Sequence, residues 1–160
     1  MQILVMYFSR SGNTKKLAES IADGARGVEG CTCLLKAVED VTKEDFLNSQ
    51  GIIAGSPVYF GTMAAEVKKV FDSCVSVRQK MGDKIGAAFT TSGDATGGKE
   101  TTLLSIMEAL LIYGMIVVGD PLDATGHYGV ACSGRPDEKT LENGRKLGRR
   151  VARLAMKVHS

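Results

Sequence analysis

Histidine is scarce in this 160-residue chain, where His127 and His159 are the only two, too few to build a histidine metal site. Cysteine gives no metal signal either. The four, Cys31, Cys33, Cys74 and Cys132, match neither a zinc-ligand spacing nor the Cys-x-x-Cys pattern, and they read as buried or surface thiols. Nor is there a surplus of one charge. A formal net charge of +2 removes the electrostatic reason to expect nucleic acid or a membrane surface as partner. Long hydrophobic runs are missing as well. The most apolar stretch, 103–118, is interrupted by Ser105, Glu108, Tyr113 and Gly114, so it falls short of the ~20 apolar residues of a spanning helix. The opening MQILVMYF carries no basic segment before its apolar run and no small-residue cleavage site, and polar residues follow at once. It reads as a strand, not a secretory leader. The expectation is a soluble, cytoplasmic protein.

What the chain does have is a hydrophobic fraction of 44%, enough for one buried core, and a length that one domain, 1–160, accommodates. Short β-rich runs at 3–8, 32–37, 51–55, 84–90 and 115–119 are predicted strands. Between them apolar residues recur at helical spacing: Leu17, Ile21 and Ala25; Met63, Val67, Val70, Phe71 and Cys74; Leu103, Met107, Leu110 and Leu111. A last helix is predicted from Leu147, Val151, Leu154 and Val158. Strand and helix in alternation are the mark of a parallel sheet covered on both faces, an α/β three-layer sandwich. Each strand but the second leads into a polar, Gly-rich turn: SRSGNT, SPVYFGT, TSGDATGGK and GDPLDATGHYG. With five strands in the order 2-1-3-4-5, the turns after strands one, three and four converge on the crevice where strand order reverses. The stretch 120–137 is the one long segment without a periodic pattern, and a segment of that length beside a crevice is expected to serve function.

The first of these turns holds Ser9, Arg10, Ser11, Gly12, Asn13 and Thr14, where a strand ends and a helix opens. The first N–H groups of a helix have no partner inside it and its dipole end is positive, so an anion is stabilised there. Ser9, Ser11 and Thr14 add hydroxyl donors, and Gly12 allows the backbone to approach a phosphate closely. By itself the segment could equally be a plain Ser/Asn helix cap. Other phosphate users are excluded more firmly. The chain has no GxxxxGK[ST] and no G-x-G-x-x-G after its first strand, so it is neither a P-loop hydrolase nor a dinucleotide fold. No cysteine nucleophile stands in the turn, and Ser9 and Ser56 occupy the positions where a response-regulator receiver needs acids.

Taken together, the turns resemble those of the flavodoxin-like FMN proteins, and most closely the WrbA-type NAD(P)H:quinone oxidoreductases. Pro57-Val58-Tyr59-Phe60-Gly61-Thr62-Met63-Ala64 is similar to the family's P-x-x-F-G-x-M-A loop. Thr91-Ser92-Gly93, followed by Gly97-Gly98-Lys99-Glu100-Thr101-Thr102, is similar to its S/T-T-G and G-G-x-E-T-T segments, while Tyr113-Gly114-Met115 and His127-Tyr128-Gly129 echo H-G-M and P-Y-G. The resemblance implies a flavodoxin-like fold with FMN as cofactor. It assigns Ser9, Ser11, Gly12, Asn13 and Thr14 to the phosphate, with Arg10 beside it, and Pro57, Val58, Tyr59, Phe60, Gly61 and Thr62 to the flank of the isoalloxazine. Thr91, Ser92, Gly93, Asp94 and Gly97 would meet the pyrimidine side and the ribityl chain. Two departures stand out: the 37–51 connection is short where the family carries an insertion that supports its oligomer, and Ile112 and Tyr113 stand where the family places histidines.

The resemblance implies an oxidoreductase in which NAD(P)H delivers electrons through FMN to a quinone or similar acceptor. The alternatives are a carrier flavodoxin that serves a redox partner protein, and a scaffold without flavin. Carriers enclose the ring between two aromatics and surround it with acids, whereas 90–98 here holds no aromatic and the net charge is slightly positive. One ring face is therefore expected to be open, unless Tyr113 or Tyr128 fills it. A homo-oligomer remains compatible with the sequence. Arg145, Lys146, Arg149, Arg150, Arg153 and Lys157 on the last predicted helix read first as a solvated face, and otherwise as a docking place for an acidic partner or a nucleotide phosphate.

Overall fold

The computed structural model describes residues 1–159. Its frame is a parallel sheet of β1 (Gln2–Tyr7), β2 (Thr32–Ala37), β3 (Gly51–Tyr59) and β5 (Ile85–Ser92), with a short antiparallel β4 (Thr62–Met63) folded back on β3. At the edge beyond β5 lie two fragments, β6 (Ile116–Val117) and β7 (Val130–Ser133). The order β2-β1-β3-β5-β6 is the predicted 2-1-3-4-5 once the hairpin strand is numbered.

Successive strand residues point to opposite faces. On β1, Ile3 and Val5 therefore join the layer of α1 (Asn13–Arg26) and α5 (Glu138–His159), while Leu4 and Met6 join the layer of α2 (Lys43–Asn48), α3 (Ala65–Ser73) and α4 (Lys99–Ile112). α1 and α5 pack closely because Gly24, Gly144 and Gly148 lie at their crossing, where a Cβ on Gly24 or Gly148 would strike the other helix's backbone. The second layer is anchored by Phe46, Phe71 and Tyr113, whose ring centroids lie 5.7 to 6.3 Å apart.

The structure departs from the sequence expectation in four places. The fifth strand is split: the chain leaves the sheet after β6 and returns as β7, so the expected irregular stretch 120–137 is interrupted by Val130–Ser133, leaving 118–129 and 134–137 irregular. That excursion is held by the buried Asp120 carboxylate, which accepts the Thr125 N–H at 2.9 Å, the Thr125 hydroxyl at 2.6 Å and the His127 N–H at 2.9 Å. Met63 sits in β4 and not on a helix. Leu111 is exposed because it lies about 100° around its helix from the buried Leu110, and Val158 because it shares the face of Leu147 and Val151 but sits in the last turn, beyond Ala155, the last buried residue. Finally, α2 has no predicted counterpart. Its six residues are too few for a periodic signal, and a capping box between Thr42 and Asp45 starts it. Among the described residues, no helix is long and apolar enough to cross a membrane.

Candidate functional site

The turns after β1, β3 and β5 meet at the carboxyl ends of their strands. In the first, the chain must bend from Tyr7 into α1 at Asn13, and Gly12 makes the bend at φ +90°, a conformation that a side chain would strain. Ser9 turns inward: its hydroxyl oxygen accepts the N–H of Gly12 at 3.1 Å and of Lys15 at 3.2 Å. Among the described residues, the N–H groups of Ser11, Asn13 and Thr14 find no acceptor. Several orphan donors at the positive end of a 14-residue helix form an anion seat. Thr14 adds a brace, since its hydroxyl bonds that of Thr91 at 2.8 Å.

The second turn is fixed from below. The buried Ser56 oxygen accepts the Ala64 N–H at 2.8 Å, and the Thr90 hydroxyl donates to the Ser56 carbonyl at 2.6 Å. Beyond Tyr59 the hairpin turns on two residues, Phe60 at φ +50° and Gly61 at φ +77°, which matches the twist of a two-residue hairpin. Phenylalanine rarely adopts that conformation, and its ring stands fully exposed at the tip. In the third turn, Gly93 faces open space, while the Asp94 carboxylate accepts the Thr96 N–H at 2.8 Å and hydroxyl at 2.7 Å, which holds its carboxyl below the usual carboxylate range. Gly98 closes onto the hairpin, for a Cβ there would stand 2.9 Å from the Gly61 Cα.

These turns enclose a crevice of about 410 Å³ lined by Arg10, Ser11, Asn13, Thr14, Pro57, Val58, Tyr59, Thr91, Ser92 and Gly93. The predicted site thus comes together from all three loops. Ser9, Gly12, Asp94 and Gly97 belong to the same turns but are not among the lining residues, and Phe60, Gly61 and Thr62 form the hairpin beside the crevice. Tyr59 packs edge-on against Phe8 at 6.2 Å, which fixes the aromatic wall. The opposite side has none. Tyr113 is excluded from the crevice because it is buried in the core, its hydroxyl donating to the Phe71 carbonyl at 2.5 Å. Tyr128, at the start of β7's edge, is not part of the lining. Two residues escaped the sequence reading of the site. Lys99 Nζ donates to the Ser133 hydroxyl at 2.8 Å and the Ala95 carbonyl at 3.0 Å, which ties the third turn to β7. Ser133 carried no signal because its strand was not expected.

The crevice suits a phosphate ester with a flat ring. Unpaired donors sit at one end, a tyrosine wall stands beside it, and bare glycine backbone borders the entrance at Gly93. No reactive thiol competes, since burial pushes the nearest strand cysteine, Cys132, up to about 11. Arg10 has no ion-pair partner among the described residues and lines the seat, ready for an anion. Beyond Tyr59 lies a second, apolar groove of about 650 Å³, reached by Phe60, Met63, Ala65, Ala109 and Ile112.

The family model described as NADPH-dependent FMN reductase matches residues 1–128. A flavodoxin from Aquifex aeolicus is 40% identical over 158 aligned positions, covering 94% of this chain and 85% of that protein. An NAD(P)H dehydrogenase (quinone) from Archaeoglobus fulgidus is 35% identical over 188 aligned positions, covering 98% of both. Among solved structures, a flavodoxin described as a WrbA-like protein from Agrobacterium tumefaciens superposes with a TM-score of 0.84 at 26% identity and covers 98% of each chain.

Proposed function

Because the chain belongs to the NADPH-dependent FMN reductase family, a flavodoxin-like group whose cofactor is FMN, we propose that it passes electrons from NAD(P)H to a quinone or similar small acceptor in the cytoplasm. The single observation that carries this reading is the crevice, with an anion seat at one end and an aromatic wall on one side only. Bound FMN supplies the chemistry, accepting hydride from a nicotinamide and passing electrons on.

The residues of this chain bind and orient. The N–H groups of Ser11, Asn13 and Thr14, with the Arg10 guanidinium, hold the phosphate, and Gly12 keeps the backbone free of a side chain there. Pro57, Val58 and Tyr59 flank the ring, while Thr91, Ser92 and Gly93 border its pyrimidine side and the ribityl chain. Phe60, Gly61 and Thr62 form the rim, and Asp94 and Gly97 set the course of the third turn. The open side admits one flat molecule at a time, so nicotinamide and acceptor would share it in turn. A homo-oligomer belongs to the proposal. The apolar groove beside the protruding Phe60 puts a knob next to a hole, an arrangement that pairs with itself about a twofold axis.

One observation favours a second reading, an electron carrier serving a redox partner protein: the relative from Aquifex aeolicus, named flavodoxin. Anaerobic titration separates the two. The FMN-loaded protein is expected to bleach with NADPH or NADH and to turn over in steady state with a soluble quinone. A protein that dithionite bleaches and neither nucleotide does would be the carrier.

A further inference from the structure

The largest concentration of uncommitted charge lies away from the crevice, on α5. Lys146, Arg150, Arg153 and Lys157 follow at spacings of four, three and four, so they form one ridge of the helix. The first three, with Arg149 and Leu154, wall a groove of about 290 Å³ whose other side is Pro121 and Asp123 from the 118–129 excursion.

The cations of this groove are unequally engaged. Lys146 Nζ reaches the Asp123 carboxylate at 3.4 Å and also its carbonyl. Arg149 donates to Glu142 at 2.8 Å. Arg150 and Arg153 have no carboxylate within ion-pair reach among the described residues, and the Nε of half-buried Arg150 is shut from solvent with no acceptor. Four cations thus line a cavity that offers one carboxylate, Asp123. Two guanidinium groups without a counter-ion, beside two cations that have one, leave the groove net positive, and the group that would balance it is an anion. A planar guanidinium fork matches phosphate in geometry as well as charge. The cavity is near the ~300 Å³ lower bound of small-ligand sites, which suits one phosphate group and a short ester.

The groove is also separate from the FMN seat. α5 starts just after β7 at the crevice end of the sheet, and Lys146 to Arg153 lie two to four turns further on, roughly 12 to 22 Å at 1.5 Å per residue. We propose that this groove is a second anion site, which takes a dianionic phosphate, free or esterified, on Arg150 and Arg153, with Lys146 and Arg149 completing the positive field. Pro121 and Leu154 form an apolar wall for the organic part of an ester.

The test uses FMN-loaded protein, so that the loop at 9–14 is already filled. Calorimetric titration with inorganic phosphate, against chloride at matched ionic strength, is expected to show one saturable site. Arg153→Gln removes an exposed side chain without touching the core and should weaken binding about tenfold or more. Arg150→Gln should weaken it further, and Arg135→Gln, an exposed cation elsewhere, should leave it unchanged. Adenosine 2′-monophosphate binding more tightly than phosphate, with adenosine silent, would identify an ester as the ligand; equal affinities would identify free phosphate. The proposal is overturned if phosphate shows no saturable binding, if Arg153→Gln binds like the wild type, or if polyglutamate binds where phosphate does not.

Discussion

The hydroxyls of Thr14 and Thr91 stand 2.8 Å apart, joining the first turn of α1 to the end of β5 across 77 residues of sequence. Both residues are buried, at the wall of the crevice. Thr91→Val leaves a buried hydroxyl unpaired and should cost about 1 to 3 kcal/mol, read from urea unfolding of the apoprotein. Removing both hydroxyls should recover part of that loss. If the double variant is merely the sum of the two singles, the brace contributes nothing.

The same loop predicts a preference among flavins. FMN should bind far more tightly than riboflavin, because each charge-assisted hydrogen bond to its phosphate is worth ~1.5 to 3 kcal/mol and several orphan donors are waiting. Gly12→Val should fold, since a Cβ there meets no atom within 4 Å, yet lose FMN through the strain at φ +90° and the added bulk. Circular dichroism reports the fold and calorimetry the flavin. Equal affinities for the two flavins would remove the phosphate seat from this loop.

The site was legible where chemistry and local geometry coincide. Ser11, Gly12 and Asn13 mark a strand-to-helix turn of small polar residues, which alone could equally be a helix cap; the turns at Pro57 and Thr91 in company with it are what pointed to one crevice. The fold was legible because strands buried on both faces read as unbroken apolar runs, as at Ile52 and Ile53. Long-range pairs were not. Nothing local announces that Thr90 reaches Ser56, that Lys99 reaches Ser133, or that Tyr113 turns inward to Phe71. The split edge strand was missed for a related reason, since two and four residues carry too little pattern to be separated from the loop held by Asp120.

Acid stability should depend on Asp45. Burial alone would push its carboxyl up, but the Lys36 ammonium at 2.8 Å and the Thr42 N–H and hydroxyl outweigh it and hold it below the usual range. A folded value below the unfolded ~3.9 means that the stabilisation is present above that pH and is lost as pH falls through the folded value. Asp45→Asn should therefore be less stable by about 1 to 3 kcal/mol at neutral pH, with the gap closing towards pH 2. A gap of constant size across that range would rule out the ionised carboxylate as its source.

Phe60 offers a test of assembly. Its ring is wholly exposed beside the apolar groove that Ile112 also lines. If two copies pair there, Phe60→Asp should sediment as a monomer at concentrations where the wild type does not, while keeping its flavin. Identical sedimentation of the two proteins would place any interface elsewhere.

The last prediction concerns the open side of the crevice. Hydride transfer needs the nicotinamide close to the flavin, and correct orientation can supply ~7 to 11 kcal/mol of the barrier. Tyr59 occupies one side, whereas the 93–98 turn has no aromatic and Gly93 faces empty space. That glycine is not in the left-handed region, so a side chain there is conformationally tolerated. Gly93→Trp should therefore lay an aromatic lid over the entrance without disturbing the phosphate loop. FMN binding and bleaching by dithionite, which needs no docking of a nucleotide, should persist. Turnover of NADPH with a soluble quinone should fall at least about tenfold, a barrier increase of about 1.4 kcal/mol. Ala95→Trp, on the exposed crest of the same turn, tests whether bulk alone suffices and should have a smaller effect. If Gly93→Trp retains wild-type turnover, the nicotinamide does not approach from this side, and the oxidoreductase mechanism would need another route to the ring.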